Sequence, residues 1–232
     1  MDFPILCVDD FYTNPDEVRE FALSQEFNCK NGNFPGKRTK ELHLINETFF
    51  GTFCSRLFSI FYQFERESVS WVVESYFQKT YPYDEDPNSI FNEGWIHVDS
   101  DQCICAGVIY LNPGSNLNAG TTFYLDKNSF IHRNYSANQV NWTPRNDLYA
   151  GKEVDKFKYA EEKLRCNDLY EKTLEINNVY NRLAFYGSQY PHRETNFCAS
   201  DTEPRLTQVF FVKNFESLAT PLGRTSNYEI SF

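Results

Sequence analysis

Four histidines are among the scarcest side chains in this 232-residue chain, and two of them stand where they can act together. His97-Val98-Asp99 puts an imidazole and a carboxylate two residues apart. On a strand, residues i and i+2 share a face, so both side chains project to one side. Alone the pattern is weak, because a satisfied surface pair at a strand end reads the same way. A second imidazole follows downstream, His192 in Tyr190-Pro191-His192-Arg193-Glu194, and Arg205-Leu206-Thr207 opens a strand-like run 13 residues later. Two histidines and one carboxylate make the facial triad that binds non-haem Fe(II) and leaves positions open. 2-Oxoglutarate can chelate such an ion through two oxygens, and its far carboxylate then wants a bidentate cation and a hydroxyl. Arg205 has the planar fork for the first role. Thr207 lies on the same strand face and has the hydroxyl for the second. Zinc with hydrolytic chemistry fits the three ligands too, but leaves Arg205 and Thr207 without a role. A jelly-roll binding module with an idle H-x-D is the non-enzymatic alternative.

The elements that must position these residues follow from the spacing of apolar and turn residues. Pro4 to Val8 reads as a short strand. Asn14-Pro15-Asp16-Glu17 reads as a helix start, with Asn at the cap, Pro at the first turn and acids behind it. From Asn46, apolar residues at 49, 50, 53, 57, 58, 61 and 64 recur at helical spacing. This aromatic stripe is expected to pack a core. Strands are predicted at 68–77, 95–99, 105–112, 120–124, 181–186 and 205–213. Residues 152–177 read as a charged helix with Phe157, Leu164, Leu169 and Leu174 as its sparse apolar side. The segment 126–178 is too long for an ordinary strand connection and reads as an insertion. Short strands behind leading helices predict a mainly β fold, a sandwich or jelly roll. Asn112 and Thr122 are expected to face its interior and touch a co-substrate. His43 and His132 are expected to be surface or packing residues. Cys103 and Cys105 read as small fillers on one strand face. The acidic loop 81–94, with Asp84-Glu85-Asp86, precedes the metal motif and reads as a solvated loop that could close over a site.

Bulk composition bounds the partners. The chain has 22 Lys+Arg against 32 Asp+Glu, a net charge of −10, which argues against a nucleic-acid partner. Hydrophobic residues at 41% and aromatics at 17% exclude a disordered chain and allow a sizeable core. No apolar run reaches the length of about 18 residues that a membrane span needs. The opening MDFPILCVDDFY lacks the basic start of a secretory signal. Seven cysteines, an odd count with no C-x-x-C, predict reduced thiols and a cytoplasmic location.

Four stretches, taken in order, resemble the 2-oxoglutarate/Fe(II)-dependent dioxygenases, and within them the prolyl-hydroxylase-like branch. They are His97-Val98-Asp99, Ile109-Tyr110-Leu111-Asn112, Arg182–Tyr186 with Pro191-His192-Arg193-Glu194, and Arg205–Phe211. The resemblance covers residues 70–213. It implies a double-stranded β-helix with N-terminal helices and a helical insertion. It implies Fe(II) on His97, Asp99 and His192, and 2-oxoglutarate held by Arg205, Thr207 and Tyr110. The implied reaction is hydroxylation of an unactivated C–H with O2, coupled to decarboxylation of 2-oxoglutarate to succinate and CO2, with ascorbate as a stimulant. The implied substrate is a prolyl residue of a protein or peptide, with a free amino acid or other small molecule as the rival. The expected organisation is one oxygenase domain over 1–232: supporting elements at 1–67, a core at 68–215 interrupted at 126–178, and a tail at 216–232. Two features depart from the branch: the long insertion, and a long interval between His192 and Arg205.

Overall fold

The computed structural model describes residues 3–30, 33–99, 102–129, 136–200 and 203–218. His132, Asp201-Thr202 and the tail from 219 lie outside the described residues. The strands are β1 (Leu6–Val8), β2 (Lys37–Arg38), β3 (Val69–Thr80), β4 (Cys105–Tyr110), β5 (Thr121–Asp126), β6 (Tyr170–Ile176), β7 (Leu183–Gly187), β8 (His192–Glu194) and β9 (Arg205–Ser217). The helices are α1 (Pro15–Leu23), α2 (Leu42–Ile45), α3 (Glu47–Ser59), α4 (Thr143–Tyr149) and α5 (Lys156–Asp168). No described helix is long and apolar enough to cross a membrane.

Two antiparallel sheets form. The larger runs β1-β7-β4-β9-β3-β2 and the smaller β6-β5-β8. β9 is the hub, paired along its length with β3 and along its first half with β4. Side chains alternate across it. Leu206, Phe210 and Val212 join the core beneath the N-terminal helices. Arg205, Val209 and Phe211 face a cavity on the other side. This alternation is the period-2 geometry of a strand. β4 is buried throughout (CAGVIY) because it has strand neighbours on both edges and packed layers on both faces.

The helix predicted from Asn46 is α3, and the Asn46 side chain accepts a hydrogen bond from the Phe49 amide at 3.0 Å as its cap. Its face of Phe53, Leu57 and Phe58 is buried against β3, β7 and β9 with Phe77, Phe185 and Phe210, so the aromatic stripe is core packing. α1 starts where Asn14-Pro15 predicts, but the Asn14 side chain reaches Glu17 and makes no cap bond.

Four expectations are corrected. Residues 152–177 are not one helix: α5 ends at Asp168, and Tyr170–Ile176 forms β6, paired antiparallel with β5. Tyr170 and Ile176 are buried there, and a sheet edge was available for a segment whose helical periodicity is poor. Among the described residues, the part of 126–178 outside the sheet is therefore 127–129, 136–169 and 177–178. Next, the predicted apolar side of α5 faces solvent: Phe157 is 88% and Leu164 56% exposed. The buried face is Tyr159, Lys163 and Cys166, at spacings of four and three. Finally, Trp95–Asp99 is not a strand. It makes a single antiparallel bridge, His97 to His192. Cys103 and Cys105 also fall on opposite sides of the large sheet, in separate cores.

The insertion builds a core of its own, with Phe91, Trp95 and Ile96 packed against Tyr124, Tyr159 and Cys166. The first half of the acidic loop is folded around the Asn92 side chain. Asn92 accepts from the amides of Tyr83 and Asp84 and donates to the carbonyls of Asp84 and Asp86. Asp84 and Glu85 line a shallow depression with Pro82 and Cys198, away from the main cavity.

Candidate metal and co-substrate centre

The single bridge between the two histidines positions the centre. The His97 amide donates to the His192 carbonyl at 3.0 Å, and the His192 amide donates to the His97 carbonyl at 2.9 Å. Two residues paired this way send their side chains to one face, and the ring centroids lie 4.6 Å apart. The Asp99 amide donates to the Ser188 carbonyl at 3.2 Å, which keeps Asp99 beside them. Ligand atoms of His97, Asp99 and His192 all fall within 4.8 Å of one another. Gly94 matters three residues upstream. A Cβ there would collide with the backbone and carboxylate of Glu194, so β8 could not approach this closely.

Each imidazole is fixed by a backbone carbonyl two residues earlier. His97 Nδ1 is 2.8 Å from the Trp95 carbonyl and His192 Nδ1 is 2.9 Å from the Tyr190 carbonyl. A carbonyl only accepts, so both Nδ1 atoms carry the proton and both Nε2 atoms offer a lone pair. Burial, reinforced by the neighbouring His192, lowers the His97 pKa to about 4, so His97 is a neutral donor at ordinary pH. His192 Nε2 stands 3.8 Å from Asp99 Oδ2. Asp99 Oδ2 is buried and has no hydrogen-bond partner. Two acceptors left facing each other in a buried site call for a cation between them. The Tyr186 hydroxyl lies 3.1 Å from His192 Nε2 and can donate there.

A cavity of about 400 Å³ opens beside these ligands. Arg205 reaches it from the first residue of β9, is 2% exposed, and has no acidic partner within 4 Å among the described residues. Its Nε donates to the Ala119 carbonyl at 2.9 Å, and its guanidinium carbon lies 5.5 Å from the Tyr110 ring centroid. Thr207 is buried on the same face, and its Oγ1 has no partner. Tyr110 pairs with Thr207 across β4 and β9, and its hydroxyl lies 2.8 Å from Thr121 Oγ1. Burial pushes the Tyr110 hydroxyl up to about 12, so it stays protonated.

Two expected co-substrate contacts fall elsewhere. The Asn112 side chain accepts from the Leu206 amide and donates to the Pro204 carbonyl, a fastener at the start of β9. The Thr122 hydroxyl meets Thr195 at 2.7 Å. Its neighbour Thr121 lines the cavity instead, because adjacent strand residues face opposite ways. His43 is exposed beside Glu41. Sequence reading missed Arg38, Arg145 and Glu194 on the cavity wall. Glu194 was legible as the i+2 neighbour of His192 on one strand, whereas the two arginines carry no local signal. For Glu194, burial raises the pKa, but the adjacent His97, the Arg205 guanidinium and its own backbone amide outweigh it and hold the carboxyl low.

Residues 2–212 match a family described as "Family of unknown function (DUF6445)". No curated protein matches the sequence. Among solved structures, the chain is similar to a prolyl hydroxylase from Trichoplax adhaerens in complex with a hypoxia inducible factor oxygen degradation domain peptide fragment. Identity is 10%, the TM-score is 0.50, and the match covers 90% of this chain and 82% of that one. It is similar to the same degree to HygX from Streptomyces hygroscopicus with nickel, 2-oxoglutarate and hygromycin B bound: 10% identity, TM-score 0.50, 90% and 82% coverage. At such identity the likeness establishes the fold, a double-stranded β-helix.

Proposed function

The chain belongs to the family of unknown function DUF6445, and from its centre we propose that it is an Fe(II)- and 2-oxoglutarate-dependent oxygenase that hydroxylates an unactivated C–H. The observation that carries this reading is one cavity bordered by the His97, Asp99 and His192 cluster and by a buried Arg205 with no acidic partner among the described residues. An N,N,O triad with open positions is the donor set of non-haem iron oxygenases. The orphaned Asp99 oxygen and the two Nε2 lone pairs fit a divalent metal, with the Tyr186 hydroxyl giving way at His192. When bound, Fe(II) with 2-oxoglutarate supplies O2 activation coupled to decarboxylation of the co-substrate to succinate and CO2.

The chain's own residues have distinct roles. His97 and His192 hold the metal through Nε2 because the Trp95 and Tyr190 carbonyls fix their Nδ1 protons. Asp99 supplies the one anionic ligand. Arg205 binds the distal carboxylate of 2-oxoglutarate, and Thr207 donates its free hydroxyl to the same group. Tyr110 acts one step back: its ring lies under Arg205, and its hydroxyl holds Thr121. Trp95, Val209 and Phe211 line the cavity and keep bulk water from it.

The cavity volume lies in the small-ligand range of about 300–1,000 Å³. It admits a small molecule, or one residue of a peptide such as prolyl. The similar folds hold a peptide fragment in one case and hygromycin B in the other. Seven free cysteines support a reducing compartment.

Calorimetric titration tests the reading. Mn(II) should bind with one-to-one stoichiometry, and 2-oxoglutarate should then bind only the metal-loaded protein. His97→Ala should abolish both steps, and Arg205→Ala only the second. Absence of 2-oxoglutarate binding to metal-loaded wild type would contradict the proposal, and zinc binding alone would favour a hydrolase.

A further inference from the structure

The large sheet carries a row of directly paired residues on its cavity face. Tyr110 pairs with Thr207, Thr207 with Gln78, and Gln78 with Arg38 at the sheet edge. The row leads from the co-substrate residues to an arginine with no assigned role. Arg38 is held firmly: its Nε donates to Gln78 Oε1 at 2.7 Å, and its guanidinium carbon sits 3.9 Å from the Phe34 ring centroid and 5.2 Å from that of Phe211. Burial lowers its pKa to about 10, so it is still a cation at neutral pH.

A second arginine faces the same cavity from the insertion. Arg145, on α4, lies 4.5 Å from the Trp142 ring centroid, and its Nε and one terminal nitrogen donate to Asn146 Oδ1. Among the described residues, neither Arg38 nor Arg145 has an acidic partner within 4 Å. Both are half-buried, and cations drawn partly out of water without such a partner are costly unless something else balances them.

The other charges on the wall are accounted for. Lys213 pairs with Glu74 at 3.4 Å. By formal charge alone, Asp99 offsets Arg205, and a divalent metal would offset dianionic 2-oxoglutarate. Glu194 then stands alone against Arg38 and Arg145, so the loaded cavity keeps a surplus positive charge.

We propose that Arg38 and Arg145 form an oxyanion subsite, so that the substrate is a small molecule carrying a carboxylate or phosphate group. The proposal rests on the oxygenase reading and narrows its substrate class. The guanidinium forks suit bidentate oxyanion recognition. The aromatic rings that hold them reduce the ordering cost of binding. The insertion thereby gains a role: it brings Arg145 and Tyr149 to a cavity whose other walls come from the sheets and from the segments 33–35 and 95–99.

The test is calorimetric, on protein loaded with Zn(II) and 2-oxoglutarate. The probes are N-acetyl amino acids, their neutral C-terminal amides, and O-phosphoserine and O-phosphothreonine amides. At least one acid or phosphate should bind, with its neutral counterpart tenfold or more weaker. Whether the acids or the phosphates bind identifies which oxyanion the subsite takes. Arg38→Gln and Arg145→Gln should each weaken that probe about tenfold or more, as expected for truncating one side of a buried charge contact. Arg38→Lys should restore part of the loss, which separates charge recognition from packing. Affinity for 2-oxoglutarate, measured beforehand, serves as the fold control. If wild type binds 2-oxoglutarate but takes acids, phosphates and amides equally or not at all, the subsite is wrong and the oxygenase reading stands. An effect in only one arginine variant overturns the paired subsite. If wild type fails to bind 2-oxoglutarate, both proposals fall.

Discussion

Thr207 Oγ1 and Asp99 Oδ2 are buried polar atoms without partners, and a group left in that state costs about 1–3 kcal/mol. Their behaviour separates a waiting ligand site from a packing defect. Thr207→Val keeps the shape and removes the orphan hydroxyl. The ligand-free protein should gain about 1 kcal/mol of stability in urea unfolding, while 2-oxoglutarate affinity falls about tenfold. A loss of both, or a gain of both, would remove Thr207 from the co-substrate site. Arg205→Ala should weaken 2-oxoglutarate by about 2–5 kcal/mol, because the bound carboxylate is left buried and unpaired. At this scale, much of the centre was readable in the sequence. His97 and Asp99, two apart, do project together, although through a single bridge and not a strand. Thr121 and Thr122 show the limit. Strand alternation makes an error of one residue turn a side chain from the cavity to the opposite face, and the local sequence TTFYL does not mark the parity.

Among the elements, α5 has the least expected interior. Its one buried cation, Lys163, has a fully buried side chain and donates to the carbonyls of Ile90 (2.5 Å) and Glu93 (2.7 Å). Those carbonyls belong to the segment just before His97, so the lysine ties the insertion to the metal side of the cavity. Burial lowers its pKa to about 7, against about 10.4 in an unfolded chain. Between those values the unfolded state binds more protons, so this residue's contribution to stability rises with pH and is poorest below about 7. The stability gap between wild type and Lys163→Met, followed by denaturant unfolding, should therefore widen from pH 7 to pH 10. A gap independent of pH would show that the ammonium is well solvated. α3 offers a simpler check: Asn46→Ala should cost about 1 kcal/mol through the lost cap. The sequence disclosed α3 because its aromatic face repeats at helical spacing. It hid the face of α5 because the buried positions are Tyr159, Lys163 and Cys166, while apolar Phe157 and Leu164 are exposed. Hydrophobicity alone points to the wrong side there.

For the whole molecule, the arrangement that matters is non-local. The order β1-β7-β4-β9-β3-β2 joins the N-terminal strand to residues near 185 and sets β9 between β4 and β3. Such pairings depend on which edges are free once the core has formed, and a window of sequence does not carry that information. The same holds for the cavity wall, where Arg38 and Arg145 stand 107 positions apart in the chain and face one space. The net charge of −10 coexists with this locally cationic wall, so whole-chain charge says little about what enters the cavity. A metal that binds only the folded state should also protect it. Mn(II) at 100 times its Kd should add about 2.7 kcal/mol to unfolding free energy, and His192→Ala should abolish that gain in a thermal melt. The central claim, that this cavity runs oxygenase chemistry, meets its most direct test in the conversion of 2-oxoglutarate to succinate with Fe(II), O2 and ascorbate. The account predicts succinate and CO2 in equal amounts from wild type, and none above background from His97→Ala, Asp99→Ala or Arg205→Ala. No succinate from iron-loaded wild type, or equal amounts from wild type and these variants, would contradict it.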